Sequence, residues 1–191
     1  MRRALKKSPI AILDTETTGL DPEKHEIIEI AIMRIDDGKR EIWHTKISPQ
    51  SLDSASPKAL SINGYNDFEW INAPTMKEAL PKIKKQLRGC VLVGHNLDFD
   101  LAFLKKAYTD HSARGMGFHY KIDTMALAYE HLAGIGLNSL SLKSVCTFLG
   151  VSNEGEHTAE ADVARCYEVF SKLSRASGFR RLVWRLRMLR A

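Results

Sequence analysis

The stretch from Ile10 to Gly19, read as IAILDTETTG, most constrains how this chain can fold. Its first four residues are apolar, as in a short buried strand, and the run ends at acids, threonines and a glycine. Because side chains alternate across a strand, Asp14 and Glu16 are predicted to project to the same face, close enough to share divalent cations. Two acidic residues in an isolated DxE pattern usually mark only the solvated end of a strand before a turn. A metal site therefore requires further acids elsewhere in the chain.

Length and composition indicate a single soluble domain. The chain has 191 residues, 44% of them apolar and 27% charged, and no apolar run approaches the ~20 residues needed to span a membrane. The N-terminus is basic, but the apolar run after it is too short for an export signal. The three cysteines, Cys90, Cys146 and Cys166, lie far apart among apolar neighbours, which indicates reduced core thiols and no zinc site. We expect a cytoplasmic protein.

Charge is distributed unevenly along the chain. The net charge is +5, yet the segment from Val169 to Ala191 contains seven basic residues and no acid, so the remainder is net acidic. An acidic pocket that handles a polyanion needs metal ions inside and basic residues outside, and this distribution suits such an arrangement.

The order of predicted elements indicates an α/β domain. Two β-rich runs, Glu26–Ile35 and Glu41–Ile47, are joined by a hairpin signal at Asp36, Asp37 and Gly38. Helices are predicted over 56–62, 75–87, 97–108, 124–131, 139–149 and 158–174, and short strands over 91–93 and 121–123. Three early strands followed by alternating strands and helices predict one mixed sheet.

Two distant acids and a histidine are candidates to complete the site. Asp100 follows the fourth predicted strand, and Asp162 lies in the last long helix, five residues after His157. That spacing is roughly 140° around a helix, so His157 is better placed on the polar loop before the helix. A neutral imidazole there is suited to taking a proton from an attacking water, although a lone loop histidine is usually only a surface residue.

Together these motifs resemble a known family. ILDTETTGL, GHNLDFDLAFL and HTAEADVARC match, in order, three motifs of the DnaQ-like, or DEDDh, 3′-to-5′ exonucleases, which include the proofreading epsilon subunit of bacterial DNA polymerase III and ribonuclease T. IDTMALA and NSLSLKSVCTFLGV also fall where the family has related segments. The match runs over about residues 8–173. It implies a ribonuclease H-like fold with a central mixed five-stranded sheet flanked by helices, occupying residues 1–175, and leaves 176–191 as a basic amphipathic tail.

The resemblance implies a metal-dependent nuclease. Two Mg²⁺ or Mn²⁺ ions would be held by four acids, and a histidine would act as general base; these residues are Asp14, Glu16, Asp100, Asp162 and His157. The implied reaction releases nucleoside 5′-monophosphates from the 3′ end of single-stranded DNA, in proofreading or repair. An exoribonuclease of the same mechanism stays open, as does a non-catalytic nucleic-acid-binding module, although no site residue is missing.

Two further aspartates are assigned outside the metal site. The family's spacing after the histidine of its second motif selects Asp100 over Asp98, which is interpreted as a helix-start residue or, less simply, as a charge that tunes the site. Asp123 resembles the family's DT residue and is given a structural role.

Substrate contacts are predicted where the family places them. The candidates are Thr17, Thr18, Leu20, Asn63, His95, Asn96 and Phe99. Asn63 stands where the family often has histidine, and Phe99 is equally readable as a core residue.

The basic tail has several possible uses. Its apolar stripe could pack on the exonuclease domain, or the helix could lie on anionic membranes or hold a partner such as a polymerase. Our hypothesis is that its arginines contact the nucleic-acid backbone outside the acidic site.

Overall fold

The strand that carries Asp14 runs through the middle of the sheet. The computed structural model describes residues 8–154 and 158–175, and in this part of the chain β1 lies between β2 and β4 in the order β3-β2-β1-β4-β5. The strands are β1 Ile10–Thr17, β2 Ile27–Asp36, β3 Lys39–Lys46, β4 Val91–Gly94 and β5 Tyr120–Asp123. β1 pairs antiparallel with β2 and parallel with β4, so the prediction of a mixed five-stranded sheet is confirmed.

Helices cover both faces of this sheet. In the described residues they are α1 Pro57–Ile62, α2 Asp67–Trp70, α3 Met76–Leu87, α4 Leu97–Asp110, α5 Thr124–Leu132, α6 Leu142–Leu149 and α7 Ala159–Ser174, with a short 3₁₀ turn at Ala133–Ile135. Leu13 belongs to a buried cluster with residues of α3 and α4, whereas Ile12 packs with Val163 and Cys166 of α7. Alternation along β1 therefore sends successive side chains to two different helical layers.

Local signals place most of the element ends. Asp37 and Gly38, with φ of 48° and 83°, form the two-residue connection of the predicted β2–β3 hairpin. Thr75 and Glu78 form the predicted capping box at the start of α3. The helix predicted from Ser139 instead begins at Leu142, because the Ser141 side chain accepts a hydrogen bond from the Ser144 amide and caps it there.

The remaining predictions concern the cysteines, membrane-spanning helices, His157 and the C-terminal tail. Cys90, Cys146 and Cys166 are buried and none of the three forms a disulfide, in agreement with the prediction of reduced core thiols. No helix among residues 8–154 and 158–175 is both long and apolar enough to cross a membrane. His157 and the tail 176–191 lie outside the described residues, so the boundary predicted after residue 175 stays a prediction.

Candidate active site

Three of the four predicted acids meet at the carboxyl end of β1. Asp14 and Glu16 project to the same face, and each offers a carboxylate oxygen that lies within 4.8 Å of one from Asp162 and from each other. Asp14 and Glu16 are half-buried and Asp162 is buried. Carboxylate oxygens are the ligands that Mg²⁺, Mn²⁺ and Ca²⁺ prefer, so the donor set fits a hard divalent cation.

The start of α7 brings Asp162 to the sheet. Thr158 caps the helix by accepting from the Ala161 amide, which places Asp162 in the first turn. Val163 and Cys166 on the same helix pack against the sheet in the core. The carboxylate is thereby held over the end of β1 with only 8% of the residue exposed.

Asp100 approaches from the other helical layer. It is buried in the first turn of α4 and accepts a hydrogen bond of 2.7 Å from the Thr15 hydroxyl. Asp100 is not one of the three acids within 4.8 Å of one another, yet its charge is close enough to raise the pKa of Asp14. The site thus consists of a cluster of three acids with a fourth acid beside it.

The acids strongly perturb one another. Burial, followed by the charges of Asp100 and Glu16, holds the pKa of Asp14 well above its ordinary value. Burial, followed by the charge of Glu29, raises the pKa of Glu16 to about 7. Burial is also the main cause that raises the pKa of Asp100 to about 7, against the Thr15 hydrogen bond. Groups that repel in this way favour either protons or a bound cation.

Arg165 is a site residue that sequence reasoning missed. Its guanidinium forms an ion pair with Asp162 one turn earlier on α7, and only 7% of the residue is exposed. The same charge lowers the pKa of Asp14 and of Glu16. Arg165 also donates to the Asn153 carbonyl over 3.3 Å, just before the segment that contains His157. The i, i+3 spacing from Asp162 was a usable signal for this pair.

Thr15 was missed as well. Alternation places it on the face opposite Asp14, where Leu13 packs with α4. The same periodicity that predicted the Asp14 and Glu16 pair therefore contained the signal for a Thr15 contact with the α4 layer.

The predicted substrate residues after β1 form a tight loop with one exposed apolar side chain. The Thr17 hydroxyl donates to the Gly19 carbonyl over 2.6 Å, and the Thr18 hydroxyl accepts from the Glu26 amide over 2.9 Å. The Asn63 side-chain amide donates to the Thr17 carbonyl over 2.8 Å. Leu20, at the end of this loop, is 82% exposed. Both hydroxyls and the amide therefore shape the loop that presents Leu20.

The candidates around the second motif are held largely by the protein itself. His95 contacts the Thr124 hydroxyl at 2.9 Å through Nδ1 and the Leu140 carbonyl at 2.7 Å through Nε2. A direct contact from His95 to substrate would have to break one of these bonds. Phe99 packs on the core beside Phe103, with ring centroids 5.0 Å apart.

Asn96 lies exposed at the turn between β4 and α4. It adopts a left-handed conformation, with φ of 61°, and its backbone N–H donates a hydrogen bond of 3.1 Å to the Asp123 carboxylate. Asp123 also accepts from the amides of Leu97 and Met125, so it caps the starts of α4 and α5. The structural role predicted for Asp123 is confirmed.

Asp98 is exposed and is not part of the cluster of Asp14, Glu16 and Asp162. It lies in the first turn of α4, as predicted, and its exposed carboxylate forms an ion pair with Lys121. This pairing supports its interpretation as a helix-start residue.

Comparison with known proteins agrees with this geometry. The profile of the RNase T family, described as Exonuclease, matches residues 11–170. The epsilon subunit of DNA polymerase III from Treponema pallidum is 33% identical over 162 residues, which cover 84% of this chain and 74% of that protein. The corresponding subunit from Aquifex aeolicus is 30% identical over 175 residues, covering 91% of this chain and 84% of that protein.

A solved structure gives the same fold. E. coli exonuclease I in complex with a dT13 oligonucleotide superposes with a TM-score of 0.75 at 18% identity, covering 92% of this chain. The chain spans 42% of that protein. With a family profile that matches most of its length and relatives that share a third of its sequence, the chain belongs to the RNase T exonuclease family and is a DnaQ-like 3′-to-5′ exonuclease.

Proposed function

We propose that this protein removes nucleoside 5′-monophosphates one at a time from the 3′ end of single-stranded DNA, using two Mg²⁺ or Mn²⁺ ions. The observation that carries the proposal is the cluster of Asp14, Glu16 and Asp162, with the buried carboxylate of Asp100 beside it. Four acids crowded at one strand end are costly without cations, and nucleic-acid hydrolysis is a reaction that uses such cations.

The four acids are the proposed metal ligands. Divalent ions held by these acids would supply positive charge for the phosphoryl oxygens and for the leaving 3′-oxygen. Thr15 and Arg165 hold the Asp100 and Asp162 carboxylates in place through their contacts with them. These two residues therefore orient the acids without themselves needing to touch substrate.

His157 is the proposed general base, which accepts a proton from the attacking water on a ring nitrogen. The proposal rests on its place in the third family motif, five residues before Asp162. Asn153 lies four residues before His157, and its carbonyl accepts a hydrogen bond from Arg165, which links α7 to this point of the chain.

The loop after β1 is the proposed seat of the terminal nucleotide. Leu20 is an exposed apolar residue in the loop that follows Glu16, and an apolar side chain packs well against the face of a base. The loop shaped by Thr17, Thr18 and Asn63 would offer backbone amides to the 3′ end. On the α4 side, the proposed substrate contacts are Asn96, in the exposed turn before the helix, and His95 and Phe99, whose side chains also contact the rest of the protein.

DNA is proposed as the substrate because the named relatives are DNA polymerase subunits, and exonuclease I was solved with a DNA oligonucleotide. An association with a polymerase through the tail 176–191, separate from a domain over 1–175, is part of the same proposal. The competing substrate is RNA, which the site would distinguish from DNA only through local contacts at the 2′ position of the sugar.

Release of mononucleotides from single-stranded DNA and RNA of equal length and sequence, with Mg²⁺ and with EDTA, tests the proposal. We expect release from DNA with Mg²⁺ to exceed that from RNA and to stop with EDTA. Faster release from RNA would move the assignment to an exoribonuclease. Binding without release from either polymer would favour a non-catalytic module.

A further inference from the structure

A fifth acid, Glu29 of β2, lies beside the site and is not used in the reaction proposed above. It pairs across the strands with Glu16 and is 5% exposed. Its charge raises the pKa of Glu16, so this position adds repulsion to a site that already holds four acids. A buried carboxylate at such a place needs compensating contacts.

The contacts of Glu29 join the sheet to α7. Its Oε1 accepts a hydrogen bond from the Ala159 amide over 3.1 Å. Ala159 is the first residue of α7, and amides at this position have no partner within the helix. Thr158 caps the helix locally through the Ala161 amide, but a local cap does not fix the helix relative to the sheet. Glu29 does so, because it belongs to a strand.

His44 holds the Glu29 carboxylate from the next strand. Its Nε2 lies 2.9 Å from the same Oε1, and the hydrogen bond to Glu29 is the main cause that raises the pKa of His44. His44 pairs with Ala31 in the β2–β3 register, and Ala31 packs in the cluster that contains α7. Three neighbouring strands thereby contribute Glu16, Glu29 and His44 around the start of one helix.

The hydrogen bond from the Ala159 amide to Glu29, called the anchor below, lies close to the proposed metal ligand Asp162. Asp162 follows Ala159 by three residues, so the two lie within one helical turn, about 4.5 Å along the axis. A shift at the Ala159 amide moves Asp162 nearly as far. The carboxylate oxygens that β1 and α7 contribute to the acid cluster lie within 4.8 Å of one another, so a small shift of α7 changes their separation.

We propose that Glu29, held by His44, is a positioning residue that fixes the first turn of α7 on the sheet and so keeps Asp162 within reach of Asp14 and Glu16. The part of this inference that concerns turnover rests on the proposed function. The anchoring itself does not.

Four variants distinguish the effect of the hydrogen bond that Glu29 accepts from the effect of the Glu29 charge. Glu29→Ala removes the acceptor and the charge, whereas Glu29→Gln removes the charge but keeps an oxygen that can accept from both the Ala159 amide and a His44 Nε2–H. His44→Ala leaves Glu29 in place but removes its support. Glu168→Gln is the matched control, because it removes an exposed charge from α7 farther along the helix, without touching the Ala159 amide.

Amide hydrogen exchange in the metal-free protein measures directly how firmly the first turn of α7 is held. We expect Glu29→Ala to speed exchange over residues 159–162 by about tenfold or more, since a hydrogen bond to a carboxylate is lost. His44→Ala should change the exchange rate in the same direction but less, and Glu29→Gln and Glu168→Gln should stay near wild type. Unchanged exchange in Glu29→Ala would overturn the proposal. If that variant does not fold, unchanged exchange in His44→Ala would overturn it instead.

Mn²⁺ affinity and turnover then show whether the anchor serves the site. We expect Glu29→Ala to bind Mn²⁺ about tenfold more weakly and to lose turnover while its KM for single-stranded DNA stays close to wild type, and we expect Glu29→Gln to recover both. Equal losses in Glu29→Ala and Glu29→Gln would mean that Glu29 acts through its charge, which contradicts a positioning role. If the wild-type protein shows no nuclease activity, the proposed function fails while the exchange result still decides the anchor.

Discussion

The Thr15 hydroxyl donates a hydrogen bond of 2.7 Å to Asp100, joining residues 85 positions apart in the chain at the buried end of β1. This bond stabilises the ionised form of Asp100 against burial, which otherwise raises its pKa. Thr15 sits between Asp14 and Glu16 in sequence but points to the opposite face. The short DTE segment therefore supplies two of the proposed metal ligands and supports a third.

Replacing Thr15 with valine should weaken the site without removing any ligand. Hydrogen bonds to charged groups contribute about 1.5–3 kcal/mol, so we expect Mn²⁺ affinity to fall by roughly tenfold to a hundredfold at neutral pH. Thr15→Ser, which keeps the hydroxyl, is the control. Calorimetric titration of both variants checks this, and equal affinity in Thr15→Val and wild type would show that the bond does not support the site.

Loss of Asp14 and loss of Asp162 should have opposite effects on the metal-free fold. Asp14→Asn removes a charge from a repelling group, so its thermal midpoint in EDTA should equal or exceed that of wild type. Asp162→Ala leaves the buried Arg165 without its ion-pair partner, so its free energy of unfolding should fall by about 3–5 kcal/mol. Both should lose nuclease activity.

Thermal unfolding in EDTA, followed by circular dichroism, separates the two cases. A stabilised Asp162→Ala would show that the ion pair with Arg165 contributes nothing to the fold. An Asp14→Asn protein that is clearly less stable than wild type would show that acid repulsion is not the dominant cost at the site.

The metal-free protein should become less stable as pH rises toward neutrality. The pKa of Glu16 is 4.5 ordinarily and about 7 in the fold, so between these values the folded protein holds a proton that the unfolded chain has released. Stability from this proton is complete below the lower value and is lost as pH rises through the higher one, and Asp100 acts in the same direction.

Thermal midpoints in EDTA from about pH 5 to about pH 8 measure this effect. We expect the midpoint to fall across that range, and to fall less in Glu16→Gln. Saturating Mg²⁺ should remove the decline, because the ion replaces the protons on its ligands. A midpoint that does not change with pH in EDTA would contradict the raised pKa values.

Leu20 should matter for substrate and not for stability. The side chain is 82% exposed, so Leu20→Ala should leave the thermal midpoint near wild type while raising the KM for single-stranded DNA severalfold. Tyr129→Ala, which truncates an exposed apolar side chain on α5, is the control. Identical steady-state kinetics in Leu20→Ala and Tyr129→Ala would remove Leu20 from the nucleotide site.

Sequence reasoning succeeded where the determining signal is local. The alternation of β1 placed Asp14 and Glu16 on one face, and the capping residues Thr75 and Thr158 marked where α3 and α7 begin. The family motifs added Asp100 and Asp162, which no local period connects to β1.

The parts that sequence reasoning missed depend on tertiary packing. Thr15 reaches Asp100 only because α4 folds back over the face of β1 opposite to α7. Glu29 reaches Ala159 only through the strand register and the return of the chain 130 residues later. The family's second motif predicts His95 as a substrate residue, and that stays a prediction; the sequence did not show that its two nitrogens contact Thr124 of α5 and the Leu140 carbonyl.

Digestion of one single-stranded DNA oligonucleotide labelled either at its 5′ end or at its 3′ end tests the central claim most directly. With Mg²⁺ and wild-type protein we predict that the 5′ label appears in a ladder of progressively shorter strands, while the 3′ label is released at once as a mononucleotide. Asp14→Asn and EDTA should abolish both patterns. A ladder from the 3′-labelled strand, internal cuts, or activity that survives Asp14→Asn would contradict a metal-dependent 3′-to-5′ exonuclease built on the acids at the end of β1.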